Sequence, residues 1–214
     1  WQALTDPAHL SEWAPFDADR NLSNVGPVKL STVGTPAPQV SETTVNRAEA
    51  PRLLEYSWGG NDLRWELEPL GNGTRLTLWH NIDRRFVSWG AAGWHICFDV
   101  LERHLAGVPI GRLVGPETMK FDGWQRLNAE YAKQFGVEDF TRGFGRDPEE
   151  RILLVVTLLP FVVRAFLPGE NGAPGRVLAG CPATDFPDDG LALRQAVLDV
   201  LAGALAGIGE DAAQ

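Results

Sequence analysis

The stretch over residues 58–105 constrains the fold more than any other part of the chain. Apolar and polar residues alternate over 63–67 and again over 76–82, which is the period of a β-strand with one buried face. The Asn72-Gly73 pair between these segments favours a tight hairpin, because it supplies positive φ angles. A similar alternation over 54–58 and β-rich segments at 28–33 and 39–47 extend the pattern. The sequence therefore predicts an antiparallel meander with one apolar face.

A helix over residues 89–106 is predicted directly after the meander, with Gly107 as its stop. One broad side of this helix is apolar and wide enough to cover a sheet. We expect His95, Asp99, Glu102 and Arg103 on the opposite, exposed side, where His95, Asp99 and Arg103 follow one another at i, i+4 spacing. A short helix is predicted from Pro7 to about residue 13 and an amphipathic helix over 121–135.

The composition changes near residue 140, where a segment rich in glycine and charge indicates a linker. An apolar run over 152–163 follows, and the Ala- and Leu-rich end of the chain predicts a further helix with Leu193, Val197 and Leu201 on one face. The apolar run is too short to span a bilayer as a helix, and its pattern does not separate a buried strand from a buried helix.

Charge and cysteine content exclude several classes of function. The chain has 19 basic and 28 acidic residues and a net charge of −9, so a nucleic-acid partner is not expected. The two cysteines, Cys97 and Cys181, form no CxxC pair and suit a reducing, cytoplasmic setting, with Cys97 as a buried free thiol. No metal-ligand spacing, phosphate loop or nucleophile motif is present, so we expect no metal and no cofactor.

Several short motifs occur in a characteristic order: Trp1-Gln2-Ala3-Leu4-Thr5-Asp6-Pro7, then PRLLEYSW at 51–58, GTRLTL at 73–78, and Gly93-Trp94. Together they resemble the activator-of-Hsp90-ATPase-like family of the START/Bet v 1-like (SRPBCC) superfamily, over residues 1–136. The resemblance implies an α+β helix-grip fold, in which a curved antiparallel sheet wraps around a long helix and leaves a cavity between them. Residues 137–150 would be a linker and 151–214 an additional C-terminal tail of unknown type.

The sequence departs from the family in one respect. The family begins with a β-strand before its first helix, and this sequence shows no such strand. An open sheet edge would result. Residues 152–159 could fill the gap as a strand; the alternative is a truncated domain followed by an added helical piece.

Two histidines are the polar residues most suggestive of chemistry. Strand alternation places His80 on the apolar face, and His104 lies on the apolar side of the predicted helix, so the two imidazoles are expected to face a shared interior. They could orient a polar group of a ligand, act as an acid/base pair, or be core residues bonded to backbone or water. A metal held by His80, His104 and Cys97 has no spacing to support it.

The aromatic residues of the apolar face allow two interpretations: they form a plain core, or they form the wall of a cavity. The predicted ligand-contacting set is Tyr56, Trp58, Trp65, Leu67, Leu78, His80, Trp94, Cys97, Leu101 and His104.

The expected function is binding of a hydrophobic small molecule between sheet and helix, without catalytic residues. The alternatives are a chaperone-linked protein-interaction module, which the resemblance implies, and a small cavity enzyme of cyclase or hydrolase type.

Overall fold

The structure is a computed structural model that describes residues 1–34, 38–115, 118, 122–137, 151–158, 162–168 and 174–180. In the last three of these segments it describes the backbone and, of the side chains, that of Leu154. The predicted linker over 137–150, apart from Val137, and the predicted C-terminal helix therefore lie outside the described residues.

The elements follow the predicted order of short helices, strands, long helix and second long helix. The helices are α1 (Gln2–Thr5), α2 (Pro7–Leu10), α3 (Val87–Leu105) and α4 (Asp122–Phe135), and a 3-10 turn (Arg84–Phe86) precedes α3. The strands are β1 (Phe16–Ala18), β2 (Gly26–Thr32), β3 (Gln39–Glu49), β4 (Leu53–Trp58), β5 (Asn61–Leu70), β6 (Gly73–Asp83), β7 (Arg151–Leu158), β8 (Val162–Pro168) and β9 (Pro174–Gly180).

The strands of the described residues form one nine-stranded antiparallel sheet whose spatial order is the chain order. Trp65 of β5 lies opposite Leu54 of β4 and Leu78 of β6, and all three side chains are buried. Cross-strand pairs on one face of this kind fix the register, because a shift of one residue would turn the apolar set outward. The predicted meander and the α+β helix-grip architecture are confirmed.

The first part of the apolar run is a strand. β7 pairs along the free edge of β6, with Leu154 opposite His80, and the Leu154 side chain is fully buried. Helix α3 comes close to this edge at Gly90, where an added Cβ would lie 2.6 Å from Cδ1 of Ile82 and 3.7 Å from Cδ2 of Leu154. β7 thus occupies an edge that would otherwise be open, as the strand hypothesis for 152–159 supposed, while the domain boundaries stay a prediction.

Helix α3 is covered on two sides rather than one. Its Trp94 and Phe98 face the sheet, whereas α4 packs on the other side through Trp124 and Tyr131. Trp89 of α3 contacts Trp124, and His95 contacts Tyr131 further along, so the two helices run in the same direction. The prediction of an exposed outer side was wrong for His95 and Asp99, which are 8% and 2% exposed, because α4 covers them.

We predict that Leu154→Ala lowers the free energy of unfolding of the whole domain by ~2–5 kcal/mol, because it leaves a cavity under α3. Leu105→Ala is the matched control: Leu105 is 64% exposed, and its truncation should change stability by less than about 0.5 kcal/mol. Chemical denaturation monitored by tryptophan fluorescence measures both values. Equal, small effects would contradict the integration of β7 into the core.

Candidate functional site

A cluster of aromatic rings lies between α3 and strands β4–β6. Trp94 of α3 stands edge-on to Trp65, with ring centroids 5.5 Å apart, and to Trp58 at 5.9 Å. Trp13 stands edge-on to Trp65 at 5.9 Å, and Phe98 contacts the same ring at 6.2 Å. Edge-to-face pairs at these separations are favourable beyond the area they bury. The predicted aromatic wall is therefore a set of rings packed against one another.

The indole N–H groups of this cluster are bonded within the protein. Trp65 donates to the Tyr56 hydroxyl at 3.0 Å, and Trp94 donates to Nδ1 of His80 at 3.0 Å. Burial raises the pKa of the Tyr56 phenol above its usual range, against the opposing effect of the bond from Trp65, so the phenol remains neutral. Because Nδ1 of His80 accepts a hydrogen bond, a neutral His80 carries its proton on Nε2.

The predicted ligand-contacting residues divide by exposure. Those less than 5% exposed are Tyr56, Trp65, Leu78, His80, Trp94, Cys97 and Leu101, and those that keep partial exposure are Trp58, Leu67 and His104. Among the tryptophan and tyrosine rings of the predicted set, Trp58 is thus the one that solvent reaches. A molecule arriving from solvent would meet Trp58 before any other aromatic residue of that set.

Trp58 lies where the sheet carries hydroxyl groups beside its apolar face. Its ring contacts Phe16 at 5.2 Å, and its indole N–H donates to Oγ1 of Thr32 at 3.0 Å. Ser41 pairs with the buried Leu30, so it is on the inner face of the neighbouring strand, and it is partly exposed. This end of the grip therefore combines an aromatic surface with hydroxyl donors and acceptors.

A segment that follows α3 crosses this end; we call residues 108–115 the strap. Arg112 of the strap makes a two-pronged ion pair with Asp17, with N···O distances of 2.7 and 3.1 Å. Three strap side chains pack against the core from the outside: Ile110, Leu113 and Val114. The strap thus begins its crossing beside β1.

The strap also touches the chain just after β2. An added Cβ at Gly34 would lie 2.6 Å from Cα of Gly115, and both residues have positive φ angles, +83° and +76°. Backbone meets backbone here because neither residue carries a side chain. Asp17 follows Phe16 in the chain, and Gly34 lies two residues after Thr32. Both anchors of the strap are therefore close in the chain to a residue that contacts Trp58.

The two histidines do not face a shared interior, so that prediction was wrong. His80 bonds to Trp94 inside the core, whereas Nε2 of His104 lies 2.9 Å from Nδ1 of His9 on α2. His104 lies in the last turn of α3, beyond Leu101, the last buried residue of that helix. The two imidazoles therefore serve different contacts.

Cys97 is a buried, free thiol, as expected. Burial, with a smaller effect of the Asp99 charge, raises the pKa of the thiol to about 12. Since only the thiolate is nucleophilic, this shift strongly disfavours the reactive form of Cys97 at neutral pH.

Sequence reasoning missed a polar cluster between α3 and α4. Nδ1 of His95 lies 2.8 Å from the Tyr131 hydroxyl, and Nε2 of His95 lies 3.7 Å from a carboxylate oxygen of Asp99. Asn128 of α4 is buried as well. The available signal was the apolar face of the predicted 121–135 helix, which needed a partner. The exposed-looking side of α3 was that partner.

The part of the chain that the structure describes contains no group of three or more His, Cys, Asp or Glu side chains arranged to hold a metal ion. None of its helices has both the length and the hydropathy that a bilayer crossing requires.

We predict that Tyr56→Phe lowers the free energy of unfolding by ~1–3 kcal/mol, because the buried Trp65 N–H loses its acceptor. Thr32→Val is the matched control, because it removes the acceptor of the Trp58 N–H. Trp58 is partly exposed, so a water molecule can accept this hydrogen bond instead, and we expect the free energy of unfolding to fall by less than about 1 kcal/mol. Equilibrium denaturation of both variants measures their free energies of unfolding. A control loss as large as that of Tyr56→Phe would contradict the assigned difference in burial.

The first half of the chain matches a known protein family. Residues 1–106 match the family model described as activator of Hsp90 ATPase homolog 1-like protein. A comparison with curated proteins gave no match. Among solved structures, a crystal structure of a Staphylococcus saprophyticus protein from a structural genomics consortium is 18% identical, with a TM-score of 0.44, and the match covers 53% of this chain and 86% of that one. The match of the family model, together with the motifs and the helix-grip architecture, shows that residues 1–106 belong to the activator of Hsp90 ATPase homologue 1-like family of the SRPBCC superfamily.

Proposed function

We propose that this protein binds a small hydrophobic molecule at the Trp58 end of the space between the curved sheet and α3. The observation that carries the proposal is the partial exposure of Trp58 in an otherwise buried aromatic cluster. Its indole N–H is already bonded to Thr32, so the ring offers an apolar surface without an unsatisfied donor. An apolar surface with a few nearby polar groups is the usual composition of a ligand site.

The packing of the aromatic rings limits where a ligand would lie. Trp13, Trp65, Trp94 and Phe98 contact one another, so a guest among them would have to displace well-packed side chains. A guest beside Trp58 would instead lie against the partly exposed Thr32 and Ser41 on the inner face of β2 and β3. The hydroxyl groups of Thr32 and Ser41 then favour a ligand with an apolar body and one polar group.

We predict that Trp58→Ala weakens binding of an uncharged hydrophobic probe, N-phenyl-1-naphthylamine, about tenfold or more, which corresponds to the loss of roughly 1.4 kcal/mol of ring contact. Trp79→Ala is the matched control, because Trp79 is on the outer face of β6, where its N–H donates to Glu66 at 3.0 Å. The affinity of the control should stay within about twofold of the wild type. Probe fluorescence and isothermal titration calorimetry give both affinities. Absence of binding to the wild type, or equal losses in the two variants, would contradict the proposal.

A protein-interaction function is the second candidate, and one observation favours it. Trp89, at the start of α3, is 38% exposed, and its ring contacts Phe86 and Trp124, each at a centroid distance of 6.3 Å. Exposed tryptophan next to other aromatic residues is typical of interaction sites. The family description names the ATPase of Hsp90 as the target of the homologue, which makes an Hsp90 chaperone the partner to test.

We expect Trp89→Ala to abolish any stimulation of Hsp90 ATPase activity if this second function is the correct one, since hot-spot tryptophans dominate interfaces. Val108→Ala serves as control, because Val108 is 53% exposed and lies outside the aromatic group. An ATPase rate that the wild-type protein leaves unchanged would exclude this chaperone function. The third alternative, a small cavity enzyme, stays a prediction.

A further inference from the structure

We propose that the strap, residues 108–115, is a gate that restricts access to Trp58, and that the Arg112–Asp17 ion pair holds it in its closed position. The inference rests on the proposed ligand site at Trp58. The strap lies beyond the residues that match the family model, which end at residue 106. The gate would therefore be a feature of this chain that is added to the family fold.

The position of the strap is the first argument. Besides its apolar side chains, two points fix the strap to the domain: Arg112 on Asp17 and Gly115 on Gly34. Asp17 is next to Phe16, whose ring contacts Trp58, and Gly34 is close in the chain to Thr32, which accepts the Trp58 N–H. A segment fixed at both points passes beside Phe16 and Thr32, the residues of β1 and β2 that contact Trp58, and it leaves Trp58 partly exposed.

The nature of the two contacts is the second argument. The Arg112 and Asp17 side chains are 20% and 45% exposed, and ion pairs in such positions are weak and screened by salt. Gly34 and Gly115 meet backbone to backbone, with no side chains interlocked. Ile110, Leu113 and Val114 are half-buried against the core. Their apolar surface favours the closed position of the strap, but less strongly than fully buried side chains would. Contacts of this kind suit a segment that opens and closes while the core stays folded.

The gate makes a kinetic prediction. When the Arg112–Asp17 ion pair is weakened, the strap opens more often, both with and without ligand. Association and dissociation of the ligand therefore both become faster, while its affinity barely changes. We expect Arg112→Gln and Asp17→Asn each to raise both rate constants for N-phenyl-1-naphthylamine by roughly three- to fivefold. The dissociation constant should stay within about twofold.

Two further variants sharpen the test. Arg47→Gln removes an ion pair with Glu49 on the exposed surface of the sheet, and its rates should equal those of the wild type. The charge exchange Asp17→Arg with Arg112→Asp should restore slow binding, because it rebuilds the pair. Stopped-flow fluorescence measures the rates, and 0.5 M salt should speed the wild type but not Arg112→Gln.

The gate and the proposed function can fail separately. If the probe does not bind the wild type, the proposed function fails. Hydrogen exchange of amides 108–115 then decides on the strap: faster exchange in Arg112→Gln than in Arg47→Gln supports an opening segment held by this pair. Equal exchange in the two variants, or unchanged binding rates in Arg112→Gln, would overturn the gate.

Discussion

The contacts of one side chain, Trp94, hold the helix to the sheet. Its ring meets Trp58 of β4 and Trp65 of β5, and its N–H donates to His80 of β6. One residue of α3 therefore contacts three consecutive strands, and the meander cannot change its curvature without disturbing this ring. Trp94 thus connects the partly exposed Trp58 with the buried His80.

The sequence predicted the part of the fold that depends on short-range periodicity. Alternation placed Leu63 and Trp65 of β5 and Leu78 and His80 of β6 on one face, and the structure buries all four. The 3.6-residue period located α3 and α4 to within two residues at each end. These patterns are legible because each residue on a strand or helix faces one side, whatever the partner is.

The sequence did not predict what depends on pairing between distant segments. His95 and Asp99 look like surface residues on a helical wheel, and only the packing of α4 makes them buried. The partner of His104 was likewise invisible, because His9 is ninety-five residues away in the chain. At the candidate site, residue type identified the aromatic wall, but whether the rings touch or leave space depends on side-chain orientations that a period does not contain.

The common direction of α3 and α4 determines the course of the chain between them. Two antiparallel helices can be joined by a short turn, whereas two parallel ones require a return path along the length of the first. For the nineteen residues of α3 this path is ~28 Å, which about nine fully extended residues can span. The sixteen residues 106–121 are enough for the return and for a detour past β1 and β2. Trimming this connection by more than about seven residues would leave it too short to reach, so the length of the loop is itself tied to the helix it must retrace.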